Sequence, residues 1–301
     1  MKNILVTGGG GLVGSSIEAP IKITRNDCDL TNFKDTLNTF KTLKPEGIIH
    51  CAGKVGGLGG NMNHKGEYFY QNLMINTNVI EAARLAGVKK LVSFLSTCVF
   101  PDNVTYPLTI DQIHKGEPHN SNYPYSYAKR MADVQIRAYR EQYNINYTSV
   151  IPSNIYGPND NFSLEHGHVM PMLMHKLYLA KRDNTDFIVW GSGKPLREFI
   201  YSKDIAKISK WILENYNDTD PLILSGNEEV SIKDLVDILV QEFNFKGKVI
   251  FDKSKPDGQF KKPSDNSKIK ELMPDFKYTP FEEGIKETAS WFISNYEKCR
   301  K

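Results

Sequence analysis

The sequence predicts an α/β fold, a doubly wound parallel sheet with a smaller mixed α/β lobe, on three observations. In the first half, short runs of β-branched and aliphatic residues alternate with amphipathic segments, a pattern typical of βαβ units. A glycine-rich loop at residues 7–14 directly follows the first of these runs. The chain of 301 residues also exceeds the usual domain size of about 100–200 residues, which predicts a second lobe.

The expected elements follow from the spacing of apolar residues. In the first half, we expect strands at residues 3–7, 47–52, 90–96 and 147–151. Helices are expected at residues 31–43, where Thr31 is a plausible N-cap, from the glycine-rich stretch 53–60 to about residue 86, and at residues 124–143. In the second half, we expect helices at residues 169–181, 204–216, 232–243 and 280–296, and strands at 187–190, 222–225 and 249–251. Residues 1–152 should form the first unit, to which residues of about 187–215 return, and residues 153–301 most of the second lobe.

The composition is that of an ordinary globular protein, with 40% hydrophobic and 24% charged residues. A net charge of +3 gives no indication of a nucleic-acid partner, and the longest apolar runs are too short to span a membrane. The N-terminal apolar run is also too short for a secretory signal. The four cysteines form no C-x-x-C pair, so we expect reduced thiols, no metal site and a cytoplasmic location.

The glycine-rich loop fits the pattern G-x-x-G-x-x-G through Gly8, Gly11 and Gly14. Glycines allow a tight turn and let the backbone approach a pyrophosphate, and the helix that follows offers free N–H groups. The alternative, an ordinary strand–helix turn, is disfavoured because the loop lies directly between a strand and a helical pattern. We therefore predict a Rossmann-type dinucleotide site formed by Gly8, Gly9, Gly10, Gly11, Leu12, Val13 and Gly14.

Arg25 follows the strand that should contact the adenosine ribose, and an arginine there suits the 2′-phosphate of NADP. A solvated surface charge is the alternative interpretation. Only ten residues separate Gly14 from Arg25, and Pro20 is one of them. Because proline ends a helix, we expect the first crossover to be unusually short.

A Tyr-x-x-x-Lys pattern at Tyr125 and Lys129 predicts a catalytic pair, since residues four apart share one face of a helix. A tyrosine hydroxyl can protonate a carbonyl oxygen while hydride reaches its carbon, and a nearby ammonium group should lower the pKa of the tyrosine. Ser96 ends a strand at the carboxyl edge of the sheet and could hydrogen-bond the same carbonyl. Tyr127 is out of register with Lys129, so we interpret it as structural.

Six further motifs occur in order along the chain. They are LSTCVFP at residues 95–101, PSNIYGPNDNF at 152–162, GHVMP at 167–171, VWGSG at 189–193, REFIY at 197–201 and DGQFKK at 257–262. With these motifs the sequence resembles the extended short-chain dehydrogenase/reductases and, over essentially the whole chain, their GDP-L-fucose synthase family. The resemblance implies an NADPH-dependent enzyme that epimerises GDP-4-keto-6-deoxy-D-mannose at C3 and C5 and then reduces its C4 ketone.

The resemblance also implies residue roles that spacing alone does not. Cys98 and His168 match the acid/base partners that move protons at C3 and C5, although an isolated cysteine or histidine more often belongs to the core. Ser96 and Tyr125 would stabilise the enolate oxygen. The positions that match cofactor contacts near the nicotinamide are Lys129, Pro152, Ser153, Asn154, Ile155 and His168, and those that match GDP-sugar contacts are Lys176, Trp190, Arg197, Asp257 and Lys262.

The residue types at the GDP-sugar positions suit such a ligand, since cations fit a diphosphate and an aromatic ring fits a base. Core packing for Trp190 and a solvated surface position for Lys262 remain alternatives. Two features depart from the family pattern: the segment between Gly14 and Arg25 is short, and Gly10 stands where bacterial members carry an arginine that assists the 2′-phosphate. The family also implies a homodimer formed through the helices around residues 66–86 and 124–143.

Two other functions compete with this one. Another nucleotide-sugar enzyme, a 4-epimerase or a 4,6-dehydratase, is disfavoured because Cys98 and Val99 stand where dehydratases carry an acid pair. A non-catalytic dinucleotide-sensing protein would usually lack part of the set Ser96, Tyr125 and Lys129, which is complete here. We therefore expect an NADP-binding first unit and a second lobe that mainly binds the GDP-sugar.

Overall fold

The computed structural model describes residues 1–255, 257 and 259–301, and it describes Leu58 by its backbone alone. Gly258, in the DGQFKK motif, lies outside these residues. The first half contains β1 (Ile4–Thr7), α1 (Leu12–Ser16), β2 (Ile21–Ile23), α2 (Phe33–Leu43), β3 (Gly47–His50), α3 (Leu58–Asn63), α4 (Lys65–Leu85), β4 (Lys90–Phe94), α5 (Tyr123–Tyr143) and β5 (Asn146–Pro152). The second half contains β6 (Asn154–Tyr156), α6 (Val169–Arg182), β7 (Phe187–Trp190), β8 (Leu196–Tyr201), α7 (Ser202–Asn215), β9 (Leu222–Leu224), β10 (Glu229–Ser231), α8 (Ile232–Glu242), β11 (Val249–Asp252), α9 (Ser267–Leu272) and α10 (Phe281–Ser294).

A six-stranded sheet forms the centre of the larger unit, in the order β2-β1-β3-β4-β5-β9. Every neighbouring pair in it is parallel, which confirms the predicted doubly wound fold. The strand order reverses at β1: β2 lies on one side of it, whereas β3 and the later strands follow on the other side. In open α/β sheets, ligands bind at such a switch point, outside the carboxyl ends of the strands.

Helices cover both faces of this sheet, because each face presents a continuous layer of buried aliphatic side chains. On one face, α2, α4 and α5 bury residues such as Phe40, Val79 and Ile136 against the strands. On the other face, α1 and α7 bury Val13 and Ile208. None of the described helices is both long and apolar enough to cross a membrane.

The smaller lobe has its own core and two small sheets. Strands β10, β8 and β6 form a mixed sheet, while β11 pairs in parallel with β7. Helices α6, α8 and α10 pack around them and bury side chains such as Leu177, Leu235 and Phe292. Within residues 187–215, which were expected to return to the larger unit, α7 packs on its sheet, whereas β7 pairs with β11 in the smaller lobe; β9 also joins the larger sheet.

Three local features of the first half bear on the sequence predictions. The first crossover is as short as predicted, with five residues in α1 and three in β2. The N-cap of α2 is Asn32 rather than Thr31, since the Asn32 side chain accepts a hydrogen bond from the backbone N–H of Asp35. The helix expected after the glycine-rich stretch is confirmed as α4, and a short helix that was not expected, α3, precedes it, because the backbone at His64 leaves the helical conformation between the two.

Candidate active site

The glycine loop after β1 forms a cradle in which two positions, Gly8 and Gly14, can hold only glycine. Gly8 has a φ of 71°, in the left-handed region, and a Cβ there would lie 2.8 Å from the backbone nitrogen of Ala52. A Cβ on Gly14 would lie 2.3 Å from the carbonyl oxygen of Gly8. The loop end of β1 thus packs directly against the segment after β3, at the switch point of the sheet. This fits a loop that lets a dinucleotide pyrophosphate approach the backbone.

A cavity of about 310 Å³ opens beside this loop. Arg25 lines it from the turn after β2, where Asp27 accepts hydrogen bonds from the backbone and hydroxyl of Thr24. The short crossover therefore still delivers the predicted arginine to the glycine loop. The polar and glycine residues around the cavity are Gly8, Gly10, Gly11, Thr24, Arg25, Asp29, Thr31, Gly53, Lys54, Gln71 and Arg300. Their cationic side chains and open backbone fit an anionic dinucleotide.

Ser96 and Cys98 lie at the carboxyl end of β4, where the strand passes into a short 3₁₀ turn, Thr97–Val99. The Ser96 hydroxyl accepts a hydrogen bond from the backbone N–H of Cys98 at 3.3 Å, which fixes the start of this turn. The side-chain amide of Asn122 donates to the Cys98 sulfur at 3.0 Å. The thiol is therefore held between β4 and the N-terminal end of α5, and partly open to solvent.

Tyr125 and Lys129 face the same edge from α5. The Lys129 ammonium donates to the carbonyl oxygen of Phe94 at 2.7 Å and lies 6.0 Å from the centre of the Tyr125 ring. Burial lowers the pKa of Lys129 to about 8. Both side chains are almost fully buried, at 7% and 3% exposure, so the surrounding protein controls their ionisation.

The expected lowering of the Tyr125 pKa by Lys129 is wrong for this structure. Burial is the largest effect and raises the pKa of the Tyr125 hydroxyl, and the nearby Cys98 and Tyr68 side chains raise it further. A hydrogen bond with Ser96 acts in the opposite direction. The Lys129 ammonium donates to the Phe94 carbonyl, and desolvation of the Tyr125 hydroxyl dominates its pKa. Tyr125 is therefore a neutral proton donor, beside Ser96.

His168 is the N-cap residue of α6 and remains accessible to solvent. Desolvation by the surrounding protein lowers the pKa of the imidazole, which favours the neutral form that can accept a proton. The neighbouring His166 carbonyl accepts a hydrogen bond from the Gly57 backbone at 2.7 Å. In the same loop, Gly56 packs against the Tyr68 hydroxyl. Tyr68 in turn raises the pKa of Tyr125. The loop around Gly57 therefore connects the His168 segment with Tyr68, which lies close to Tyr125.

The four residues expected near the nicotinamide lie at the carboxyl end of β5 and in β6, on the same sheet edge as Ser96. The backbone N–H of Ser153 donates to the Leu224 carbonyl at 2.9 Å, and the Asn154 side chain donates to the Glu198 carbonyl at 2.8 Å. Pro152 is buried, and Ile155 packs against the core below α7. Their placement at this edge agrees with the expectation, and their contact with a cofactor remains a prediction.

A second cavity, of about 130 Å³, lies in the smaller lobe and brings together Trp190, Arg197 and Asp257. The Trp190 ring is 60% exposed, which excludes the alternative of simple core packing. The Lys176 ammonium lies 4.5 Å from the centre of that ring. Asp257 accepts hydrogen bonds from the backbone and hydroxyl of Ser192, both at 2.7 Å, and these lower its pKa and keep it ionised. Each carboxylate oxygen retains a further lone pair for a ligand.

Lys262 does not line this second cavity, although Arg197 of the cavity is close enough to act on its pKa, and it contacts the catalytic centre. Its ammonium donates to the Thr97 carbonyl at 2.8 Å, and burial lowers its pKa while the nearby Cys98 raises it. It is therefore neither a fully solvated lysine nor a neighbour of Trp190. Sequence spacing also missed Asn122, which contacts the Cys98 sulfur, and Arg300, which reaches the cofactor cavity. No local pattern marks any of these contacts, since each joins segments that are distant in sequence.

A parallel sheet with a dinucleotide cradle at its switch point and a serine, a tyrosine and a lysine on the same edge defines a nucleotide-cofactor-dependent epimerase or reductase. Comparison with known proteins agrees, since residues 4–224 match the model of the NAD dependent epimerase/dehydratase family. The chain belongs to that family and, within it, to the GDP-L-fucose synthases.

Three relatives carry this assignment. The chain is 50% identical to a GDP-L-fucose synthase of Dictyostelium discoideum, over all of this chain and 98% of that protein. It is 44% identical to a probable GDP-L-fucose synthase of Drosophila melanogaster, over the full length of both. The structure of a GDP-L-fucose synthetase from Naegleria fowleri superposes with a TM-score of 0.93 at 45% identity, over 99% of this chain and 94% of that one, and the same enzyme has been solved bound to NADP.

Proposed function

We propose that this protein converts GDP-4-keto-6-deoxy-D-mannose to GDP-L-fucose, with epimerisation at C3 and C5 followed by NADPH-dependent reduction at C4. One observation carries the proposal: Ser96, Cys98 and Tyr125 meet at the carboxyl edge of the sheet, with Lys129 behind them and the dinucleotide cavity beside them. The family assignment supplies the substrate class. The roles of Cys98, His168 and the GDP-sugar contacts below are those that the family resemblance implies, and the chemistry of each side chain in its place supports them.

Epimerisation requires proton transfer at the two carbons next to the C4 ketone, because the ketone acidifies their C–H bonds. Cys98 and the neutral imidazole of His168 are the groups proposed to remove a proton from one face of the sugar and return one to the other. The hydroxyls of Ser96 and Tyr125 donate hydrogen bonds to the enolate oxygen that forms at C4. The Asn122 amide donates to the Cys98 sulfur, which favours the deprotonated thiolate when it forms.

Reduction uses the same oxygen. The bound NADPH supplies hydride to C4, and Tyr125 gives its proton to the C4 oxygen. Lys129, whose pKa of about 8 leaves it mainly charged at pH 7, stabilises the tyrosinate that remains and is placed to hold the nicotinamide ribose. The glycine loop and Arg25 hold the pyrophosphate and the 2′-phosphate of the cofactor, while the segment Pro152, Ser153, Asn154 and Ile155 lines the nicotinamide.

The second cavity is proposed to hold the GDP portion of the substrate. Trp190 offers an open aromatic face to the guanine, and Asp257 offers carboxylate oxygens to its N–H groups. Lys176 and Arg197 provide positive charge for the diphosphate. Lys262, beside Cys98, is proposed to contact the GDP-sugar next to the catalytic centre.

We further propose that the protein is a cytoplasmic homodimer. Helices α4 and α5 pack together, and their outer surface exposes large apolar side chains that a second copy would cover. These are Phe69, Tyr70, Tyr123, Met131 and Val134. Light scattering that gives the mass of one chain would reject the dimer.

The experiment that tests the function mixes the protein with GDP-4-keto-6-deoxy-D-mannose and NADPH in deuterated water and identifies the sugar product by NMR. We expect GDP-L-fucose that carries deuterium at C3 and C5. A reduced product without inverted centres would indicate the alternative of a plain nucleotide-sugar reductase. Cofactor binding without any turnover would indicate a non-catalytic dinucleotide sensor.

A further inference from the structure

Arg300 lies next to the cofactor cavity although it comes from the opposite end of the chain to the glycine loop. The chain leaves α10 and forms a parallel bridge between Arg300 and Asn161, in which the Phe162 N–H donates to the Arg300 carbonyl at 2.8 Å. This bridge fixes the backbone from which the side chain extends. The side chain then lines the same cavity as Gly8, Gly10 and Arg25.

The Arg300 guanidinium is held on one side and open on the other. One of its nitrogens donates to the Asn159 carbonyl at 2.6 Å, and Asn159 turns the chain there with a φ of 64°, which asparagine tolerates. This is its single side-chain hydrogen bond among the described residues, and none of the ion pairs found among them includes Arg300. Since a guanidinium has five N–H donors, several remain available to an anion in the cavity.

Among the described residues that line the cavity, the cations Arg25, Lys54 and Arg300 outnumber one carboxylate, Asp29, so the charge of the cavity favours such an anion. Lys54, another cation of the lining, pairs with Glu67 at 3.1 Å, which reduces its contribution. The buried carboxyl of Asp160 also lies near Arg300. Burial raises its pKa to about 7, although the Arg300 charge acts in the opposite direction. At neutral pH, Asp160 therefore offsets only part of the Arg300 charge. Gly10 adds no side chain, and its Cβ position is open apart from Thr24, at 3.5 Å.

We propose that Arg300 binds a phosphate group of the dinucleotide cofactor and supplies, from the far end of the chain, a positive charge that the glycine loop lacks at Gly10. This inference rests on NADP as the cofactor. The bidentate geometry of a guanidinium suits either the 2′-phosphate or the pyrophosphate, and both belong to the same ligand. Arg300 and Arg25 then enclose the anionic part of the cofactor from two separate segments.

The test is the dissociation constant of NADPH and of NADH, measured by fluorescence titration of the full chain without sugar substrate. Arg300→Ala and Arg300→Gln should weaken NADPH binding about tenfold to hundredfold, while Arg300→Lys keeps part of the affinity. The matched control is Lys298→Ala, an exposed lysine of the same segment that does not line the cavity, and it should stay within about twofold of the parent. Thermal melting and titration with GDP verify that each variant keeps its fold and its second cavity.

The two cofactors distinguish the two phosphates. A loss for NADPH alone assigns Arg300 to the 2′-phosphate, and an equal loss for NADPH and NADH assigns it to the pyrophosphate. Unchanged binding in a folded Arg300→Gln protein, or an equal loss in Lys298→Ala, overturns the proposal. Because no sugar is present, failure of the parent protein to make GDP-L-fucose would reject the proposed function and leave this measurement intact.

Discussion

The catalytic edge of the sheet and the cavity of the smaller lobe differ in how far their functional side chains are buried. At the catalytic edge, Tyr125 and Lys129 are almost fully buried, and Lys129 is fixed by the Phe94 carbonyl. In the smaller lobe, Trp190 is 60% exposed, and the lysines over its ring, Lys176 and Lys255, take part in none of the ion pairs found among the described residues. Proton transfer depends on positions and pKa values that burial sets, whereas binding a nucleotide base needs an accessible face. The difference teaches that substitutions at the two places should separate turnover from binding.

The largest effect should come from Tyr125→Phe, which removes the proton donor and keeps the ring. We expect reduction of the C4 ketone to fall about 10²–10⁴-fold, the usual contribution of a positioned acid, while the dissociation constant of GDP stays unchanged. Stopped-flow measurement of NADPH oxidation gives the first value and calorimetry the second. Parent-like oxidation by Tyr125→Phe would show that another group delivers the proton.

Cys98→Ser should slow the epimerisation step, which precedes reduction. A serine hydroxyl is a much weaker acid than a thiol, so deuterium incorporation at C3 and C5 should fall at least about 100-fold. The control is Cys299→Ser, a partly buried cysteine that packs against the core of the smaller lobe. NMR exchange measured with NADP in place of NADPH isolates this step. Exchange at the parent rate would remove Cys98 from the mechanism.

Asn122 should have a smaller effect because it acts through Cys98. Loss of one hydrogen bond to a charged group predicts an exchange rate about tenfold lower in Asn122→Ala, with KM for the sugar unchanged. Asn122→Asp should be slower still, since it places an acceptor beside the sulfur. The Asn122 side chain makes no cap hydrogen bond to the α5 backbone, and among the described residues its one contact with that helix is a 3.5 Å hydrogen bond accepted from the Ser126 hydroxyl, so thermal melting should verify that the variant keeps its fold. An aspartate variant as fast as the parent would contradict this positioning role.

The same contrast explains what sequence could predict. The glycine loop, the Tyr125–Lys129 pair and Ser96 at a strand end are local patterns, and the structure brings them to one sheet edge because parallel strands share their carboxyl ends. Lys262 beside Thr97 and Arg300 at the cofactor cavity depend instead on how the smaller lobe packs back onto the sheet. Local spacing contains no information about that packing.

The direction in which the pKa of Tyr125 shifts also could not be predicted from the sequence. Spacing correctly places an ammonium four residues away, but it does not reveal that burial is the larger influence or that the ammonium is directed at Phe94. The first crossover shows the opposite case. Its length could be counted in the sequence and predicts the short α1 and β2 directly, because proline and chain length are local constraints.

The smallest effect is expected in the exposed cavity of the smaller lobe, at Trp190. Trp190→Ala should raise KM for the GDP-sugar about two- to fivefold and leave kcat unchanged, since an exposed aromatic contact is worth about 0.5–1 kcal/mol. Trp190→Phe keeps an aromatic face and should lie between alanine and the parent. Steady-state kinetics at saturating NADPH separate the two constants. A fall in kcat with KM unchanged would mean that Trp190 orients the sugar at Tyr125 rather than only holding the base, and the separation between the two regions would then be wrong.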